Sequence, residues 1–225
     1  MKNVFNLIDK NLLLTKLAKK IVKKPKKTDN PVITISREFG SSGSIIAENV
    51  AKKLGKKWKT YHSEIVDRIA KDVNLEKKWV DAVDESKIPL INLIVGDLFG
   101  KKYINLRSYS LHLTKILNMI NNKGFAVIVG RGGNFILPKS LKIQVITDMD
   151  KRIKTIIDTK KVSKDKAIEM IRSSDRKRGQ FIKELFNHSW KNSYHYDIVI
   201  KTGDLLTDDD AVDLIVKLAK KKFNI

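Results

Sequence analysis

With 225 residues, 42% of them hydrophobic, the chain is long enough to bury the core of one α/β domain and too ordinary in composition for wholesale disorder. It has no cysteine, which excludes disulfides, thiolate metal sites and cysteine nucleophiles and is compatible with a cytoplasmic setting, and no apolar run approaches the roughly 20 residues that span a bilayer. The formal charge of +21 attracts nucleotides, nucleic acid or acidic membranes, and it equally fits a chain that uses lysine as its default surface residue.

Residues 1–30 read as a basic amphipathic helix and linker. Phe5, Ile8, Leu12, Leu13, Leu17 and Ile21 recur at helical spacing, and Pro25 with the polar run to Asn30 ends the helix. Nine lysines against two aspartates give this segment +7. Such a helix packs on its own domain, grips a partner such as a ribonucleoprotein, or lies on a membrane surface through residues 4–22. It does not resemble a cleaved signal peptide, because lysines interrupt the apolar stretch.

From residue 31 onward the pattern alternates. Val32–Ile35 reads as a strand, Gly40-Ser41-Ser42-Gly43-Ser44 as a loop, and Ile45, Ile46, Val50 and Leu54 as one face of a helix that stops near Gly55. Helical periodicity follows over residues 63–84 and 104–122. Phe125–Val129 is a nearly continuous apolar run, the mark of a strand buried on both faces. Residues 141–146 and 196–200 read as further strands, and 149–159, 163–185 and 208–222 as helices. Strands alternating with helices imply a parallel sheet covered on both faces, with functional loops at the carboxyl ends of its strands.

A loop between a buried strand and a helix N-terminus is a natural anion site, because free amides and the helix dipole converge there. Gly40 and Gly43 let the backbone approach a phosphate, and Ser41, Ser42 and Ser44 add hydroxyl donors. The usual phosphate-loop lysine is missing, since Ser44 stands in its place, and Ile45 replaces the hydroxyl that holds magnesium. The arginines add a second signal. The chain has eight, and six of them (Arg37, Arg131, Arg152, Arg172, Arg176 and Arg178) fall in or beside the distinctive segments. In a lysine-default chain, arginine remains where a planar, bidentate fork is needed.

The segment Ile35-Ser36-Arg37-Glu38-Phe39-Gly40-Ser41-Ser42-Gly43 resembles the opening motif of the cytidylate kinase-like family. Val127-Ile128-Val129-Gly130-Arg131-Gly132-Gly133-Asn134-Phe135-Ile136-Leu137 resembles its strand ending in Gly-Arg-Gly. The turn around Asp150-Lys151-Arg152, the lid segment Asp175-Arg176-Lys177-Arg178 and the last strand from Tyr196 to Thr202 are similar to later family segments. The resemblance spans roughly residues 31–220. It implies a P-loop nucleoside-monophosphate kinase fold: α/β, a parallel sheet of about five strands flanked by helices, here with the extra basic N-terminal helix. The domain would run over 31–225 with a lid near 163–190.

By that resemblance, ATP with Mg2+ would be the cofactor. Gly40, Ser41, Ser42, Gly43 and Ser44 would cradle the donor phosphates with help from Arg172. Arg131 would grip the acceptor monophosphate, and Arg176 and Arg178 would close from the lid. Arg37, just after the first strand, is placed to supply some of the missing lysine's charge. The sequence departs from the family at Ser44, at Tyr61-His62, where Tyr-Asp is common, and at Gly132, where cytidylate kinases have aspartate; His62 reads as exposed. Two readings follow. One is an ATP-dependent phosphotransferase acting on a CMP- or dCMP-like nucleoside monophosphate or another small acceptor. The other is a catalytically inactive kinase-like protein that binds nucleotide, RNA or a ribonucleoprotein.

Overall fold

The computed structural model describes residues 30–62 and 106–225; the N-terminal amphipathic segment and the helical reading of 63–84 lie outside them. Among the described residues, five strands, β1 (Val32–Arg37), β2 (Lys59–Tyr61), β3 (Ala126–Val129), β4 (Leu141–Thr147) and β5 (Ile198–Thr202), form one sheet. All pairings are parallel, in the order β2-β3-β1-β4-β5. The helices among the described residues are α1 (Gly43–Leu54), α2 (Leu106–Lys123), the short α3 (Gly133–Ile136), α4 (Met149–Lys160), α5 (Lys164–Phe186) and α6 (Asp208–Phe223).

Strand alternation divides the core into two layers. Ile33, Ile35, Val127, Val129, Ile143 and Val145 face α1 and α6, where Ile46, Val50, Ile215 and Ala219 meet them. Val32, Ala126 and Ile128 face the other way, against Leu113, Ile116, Leu117 and Ile120 of α2 and Phe181 of α5. A third cluster, Ile153, Ile156, Ala167 and Ile171, joins α4 to α5. Every residue of β3 is buried, as its unbroken apolar run requires.

Helix ends follow local chemistry. Ser163 accepts the Lys166 N–H to start α5, and Thr207 with Asp210 forms a reciprocal capping box at α6. Asp208, Asp209 and Asp210 occupy the first turn of α6 and Lys220, Lys221 and Lys222 its last. That arrangement complements the helix dipole and gives part of the chain's lysine excess a structural task.

Two elements differ from the sequence reading. Strand β2 carries no apolar alternation, since Lys59-Thr60-Tyr61 is an edge strand of three residues paired to β3 alone. The last strand begins at Ile198 rather than at 196. Asn192 Oδ1 accepts the Tyr194 N–H at 3.1 Å, winding Ser193–His195 into a 3-10 turn, and the Tyr196 hydroxyl is held by Trp190 O at 2.7 Å.

Asp197 fixes the start of β5. Its carboxylate accepts the Lys142 N–H at 3.0 Å and Lys222 Nζ at 2.8 Å. Burial acts to raise its pKa, but the Lys222 and Lys142 hydrogen bonds and charges prevail and hold it below the ordinary aspartate value. The stability it contributes is therefore present above the unfolded pKa of about 3.9 and lost as pH falls through the lower, folded value. Asp197→Asn is expected to lower stability near neutral pH by less than about 1 kcal/mol, the pair being solvent-screened. Thermal unfolding across pH checks this, because the gap between variant and wild type narrows as the solution is acidified.

Candidate functional site

The connections from β1 and β3 leave in opposite directions, β1 toward β2 and β3 toward β4. The crevice outside their carboxyl ends is therefore the switch point, where open α/β sheets bind ligands. Two backbone bends and one helix build its walls.

The first bend joins β1 to α1. Gly40 (φ 86°) and Ser42 (φ 58°) take left-handed conformations, and α1 starts immediately after Ser42. This alternation of left- and right-handed residues forms an amide-lined concavity. Among the described residues, the amides of Gly40, Ser42, Gly43 and Ser44 have no acceptor from the protein, which for Gly43 and Ser44 is expected of a helix's first turn. Ser41 faces inward instead, its buried hydroxyl donating to Glu38 O at 3.0 Å.

A buried clasp holds this bend to the rest of the fold. Arg152, with its side chain 7% exposed, pairs with Glu38 at 3.4 Å and with Asp175 of α5. Its Nε donates to Phe39 O at 2.8 Å. Glu38 accepts the Thr147 N–H at 3.1 Å, and Asp175 accepts the Phe39 N–H at 3.2 Å. The Asp-Lys-Arg turn noted in the sequence thus contributes a structural arginine.

The second bend joins β3 to α3. Gly130 (φ 79°), Arg131 (φ 53°) and Gly132 (φ 65°) are left-handed in succession. For Arg131 that conformation costs about 1–2 kcal/mol, and strained residues of this kind cluster at functional sites. A Cβ on Gly130 would collide with the Arg37 guanidinium, so glycine is what lets Arg37 cross this bend. Gly130→Ala is expected to cost about 1–2 kcal/mol from the left-handed backbone, and thermal unfolding measures it. The same change displaces Arg37.

Between the two bends and α5 lies a cavity of about 440 Å³. Arg37, Arg131, Lys177 and Arg178 line it, with Glu169 contributing the opposing charge. Arg131 lies over the Phe181 ring and Arg178 over the Phe39 ring, each 5.6 Å from the centroid. Arg178 Nη1 also donates to Arg37 O at 3.2 Å and lies 3.7 Å from Asp175. Burial lowers the Arg178 pKa; Asp175 opposes that shift, Arg152 and Arg131 add to it, and Glu38 opposes it again. The guanidinium remains charged at neutral pH, because arginine starts so high. The result is a positively charged recess with aromatic walls, suited to an oxygen-rich anion.

Arg37, Arg131 and Arg178 therefore share one cavity. Gly40, Ser41, Ser42, Gly43 and Ser44 do not line it; they form the neighbouring bend and the start of α1. Arg172 and Arg176 are exposed and also absent from its wall. Along α5 the cavity face runs through Met170, Ser173, Ser174, Lys177, Arg178 and Phe181, a helical period that leaves 172 and 176 outward. That period was the available signal for Lys177, which choosing arginines alone passes over. His62, expected to be exposed, is half-buried and bonds Glu48 at 2.9 Å.

The first bend fits a phosphate group through its amides and its close backbone. A Cβ on Gly43 would come within 2.5 Å of Arg37 Cβ, so Arg37 packs against the start of α1 as well as crossing Gly130. For Mg2+, no group of three or more candidate ligands occurs among the described residues. A nucleotide-borne magnesium ion is usually held by one or two carboxylates together with the phosphates.

The sequence model of the cytidylate kinase-like family matches residues 32–204. A crystal structure of an uncharacterized protein from Eubacterium ventriosum is similar, with a TM-score of 0.63 and 23% identity, over 84% of this chain and 98% of that one. A shikimate kinase from Acinetobacter baumannii, solved with shikimate, aligns at a TM-score of 0.42 and 13% identity, over 87% and 94% of the two chains. A uronate isomerase from Corynebacterium glutamicum is 29% identical over 111 residues, which are 48% of this chain and 21% of the isomerase. The chain thus spans about a fifth of that curated relative.

Proposed function

We propose, from the premise that this chain belongs to the cytidylate kinase-like family, that it transfers the γ-phosphoryl group of ATP to a small phosphorylated acceptor, with CMP or dCMP the first candidates. The supporting observation is Arg37. Its aliphatic stem packs against Gly43 at the first bend and its guanidinium passes over Gly130 at the second, so one side chain spans both halves of the crevice. In this reading it supplies charge that the absent lysine would otherwise bring.

Bound ATP supplies the transferable phosphoryl group. The chain's residues orient and neutralise. The amides after Gly40 hold donor phosphates, Arg131 and Lys177 hold the acceptor's phosphate, and Arg37 and Arg178 offset charge on the migrating group. An ionised acceptor phosphate oxygen forms the new P–O bond while the bond to ADP breaks, so no protein base is required. Phosphoryl transfer depends mainly on such positioning and electrostatics.

The test is purified full-length protein with ATP, Mg2+ and CMP, dCMP, UMP, AMP or GMP, separated by ion-exchange chromatography. ADP and a nucleoside diphosphate are expected in equal amounts. Absence of any diphosphate above the protein-free background would end the reading.

Two observations favour a second reading, a kinase-like protein that binds nucleotide without turnover. The Phe39 amide is committed to Asp175, and Ser44 brings no charge. Calorimetric binding of ATP or CMP without diphosphate formation is the result expected from it.

A further inference from the structure

Asn134 is 7% exposed, and its Nδ2 is fully buried with no hydrogen-bond partner among the described residues. It lines the cation-walled cavity, one turn after Arg131 at the start of α3. Buried side-chain amides are nearly always satisfied, so an orphan needs a physical account. As the amide is oriented, it is the donor nitrogen that lacks a partner.

We propose that Asn134 is a ligand-binding residue whose amide N–H donates to an anionic oxygen of the bound phosphorylated acceptor, completing the recess formed by Arg131 and Lys177. This deepens the functional reading above and rests on it. The residue type is informative. Aspartate here would set a carboxylate in the wall beside Arg131 and repel the phosphate, whereas asparagine offers a donor without adding charge. The left-handed bend that carries Arg131 also fixes where α3 begins. Gly133 packs on Thr34 of β1, where a Cβ would lie 3.1 Å from the Thr34 methyl. Asn134 is thereby held by rigid backbone rather than by a mobile loop.

The experiment is calorimetric titration of CMP, dCMP and inorganic phosphate into the full chain as wild type, Asn134→Leu, Asn134→Asp and Arg131→Gly, with melting temperatures of the free proteins measured in parallel. Asn134→Leu is expected to weaken phosphate-bearing probes about ten- to 150-fold, the range for one hydrogen bond to a charged group. Its melting temperature should hold or rise, because an unsatisfied polar group is removed. Asn134→Asp is expected to bind more weakly still. Wild-type affinity in both Asn134 variants, alongside weakened binding in Arg131→Gly, overturns the Asn134 assignment alone. So does a melting temperature that falls in Asn134→Leu while affinity is unchanged. No binding of any probe by the wild type overturns the acceptor-site reading, and this inference with it.

Discussion

Replacing Arg131 with glycine is expected to reduce phosphoryl transfer at least about 100-fold, the scale of losing one positioned charge donor, while leaving the fold nearly as stable as the wild type. The two effects separate because of the backbone. Arg131 sits at φ 53° between two left-handed glycines, and an L-residue there costs about 1–2 kcal/mol that glycine does not. Against that relief stand the loss of the Arg131–Phe181 contact, about 0.5–1 kcal/mol, and the greater freedom of glycine in the unfolded chain, about 0.4–1 kcal/mol. The terms nearly cancel. Arg131→Ala loses the ring contact without gaining the relief, and should be less stable than Arg131→Gly by roughly 1 kcal/mol. Steady-state assays with the monophosphate panel, paired with denaturant unfolding, resolve both. A residue serving only the fold would lose stability and activity together.

The second large effect is expected at Arg152. Replacing it with methionine keeps length and packing but leaves the carboxylates of Glu38 and Asp175, each 16% exposed, without their shared cation. Breaking a buried pair by removing one partner costs about 3–5 kcal/mol. At roughly 2–4 °C per kcal/mol for a domain of this size, the melting temperature should fall by about 6–20 °C. Arg152→Lys is not expected to rescue it, because a single ammonium cannot serve Phe39 O, Glu38 and Asp175 at once. Thermal unfolding decides the matter, and a shift under about 3 °C would show that the clasp is not what holds the first bend. The clasp also ties α5 to that bend through Asp175, so the helix bearing Lys177 and Arg178 is anchored at its middle.

Much of this was legible in the sequence for physical reasons. A short continuous apolar run fits a doubly buried strand, and Ala126–Val129 of the run is one, with Phe125 left outside it at φ 49°. Gly-Arg-Gly stands out in the sequence as the end of a strand, and the structure adds that all three residues are left-handed. Three features were not legible. Strand β2 is too short and too polar to carry a period. Ser41 looks like a phosphate donor until the bend turns its hydroxyl toward Glu38 O. Lys177 and Asn134 acquire meaning only when a cavity forms beside them, since a lysine in a lysine-rich chain and an asparagine near a glycine pair are unremarkable one at a time. Of the arginines that scarcity singled out on α5, Arg178 faces the cavity, and Arg172 and Arg176 face solvent.

The most direct test of the crevice as a site for phosphorylated ligands is a calorimetric comparison of CMP with cytidine, and of dCMP with deoxycytidine, on the full-length protein. Guanidinium and ammonium groups in the wall predict that each monophosphate binds more than about tenfold tighter than its nucleoside, the least that one charge-assisted hydrogen bond contributes, and that Arg131→Gly erases most of the difference. Equal affinity for nucleoside and nucleotide, or a difference that survives in Arg131→Gly, would contradict it.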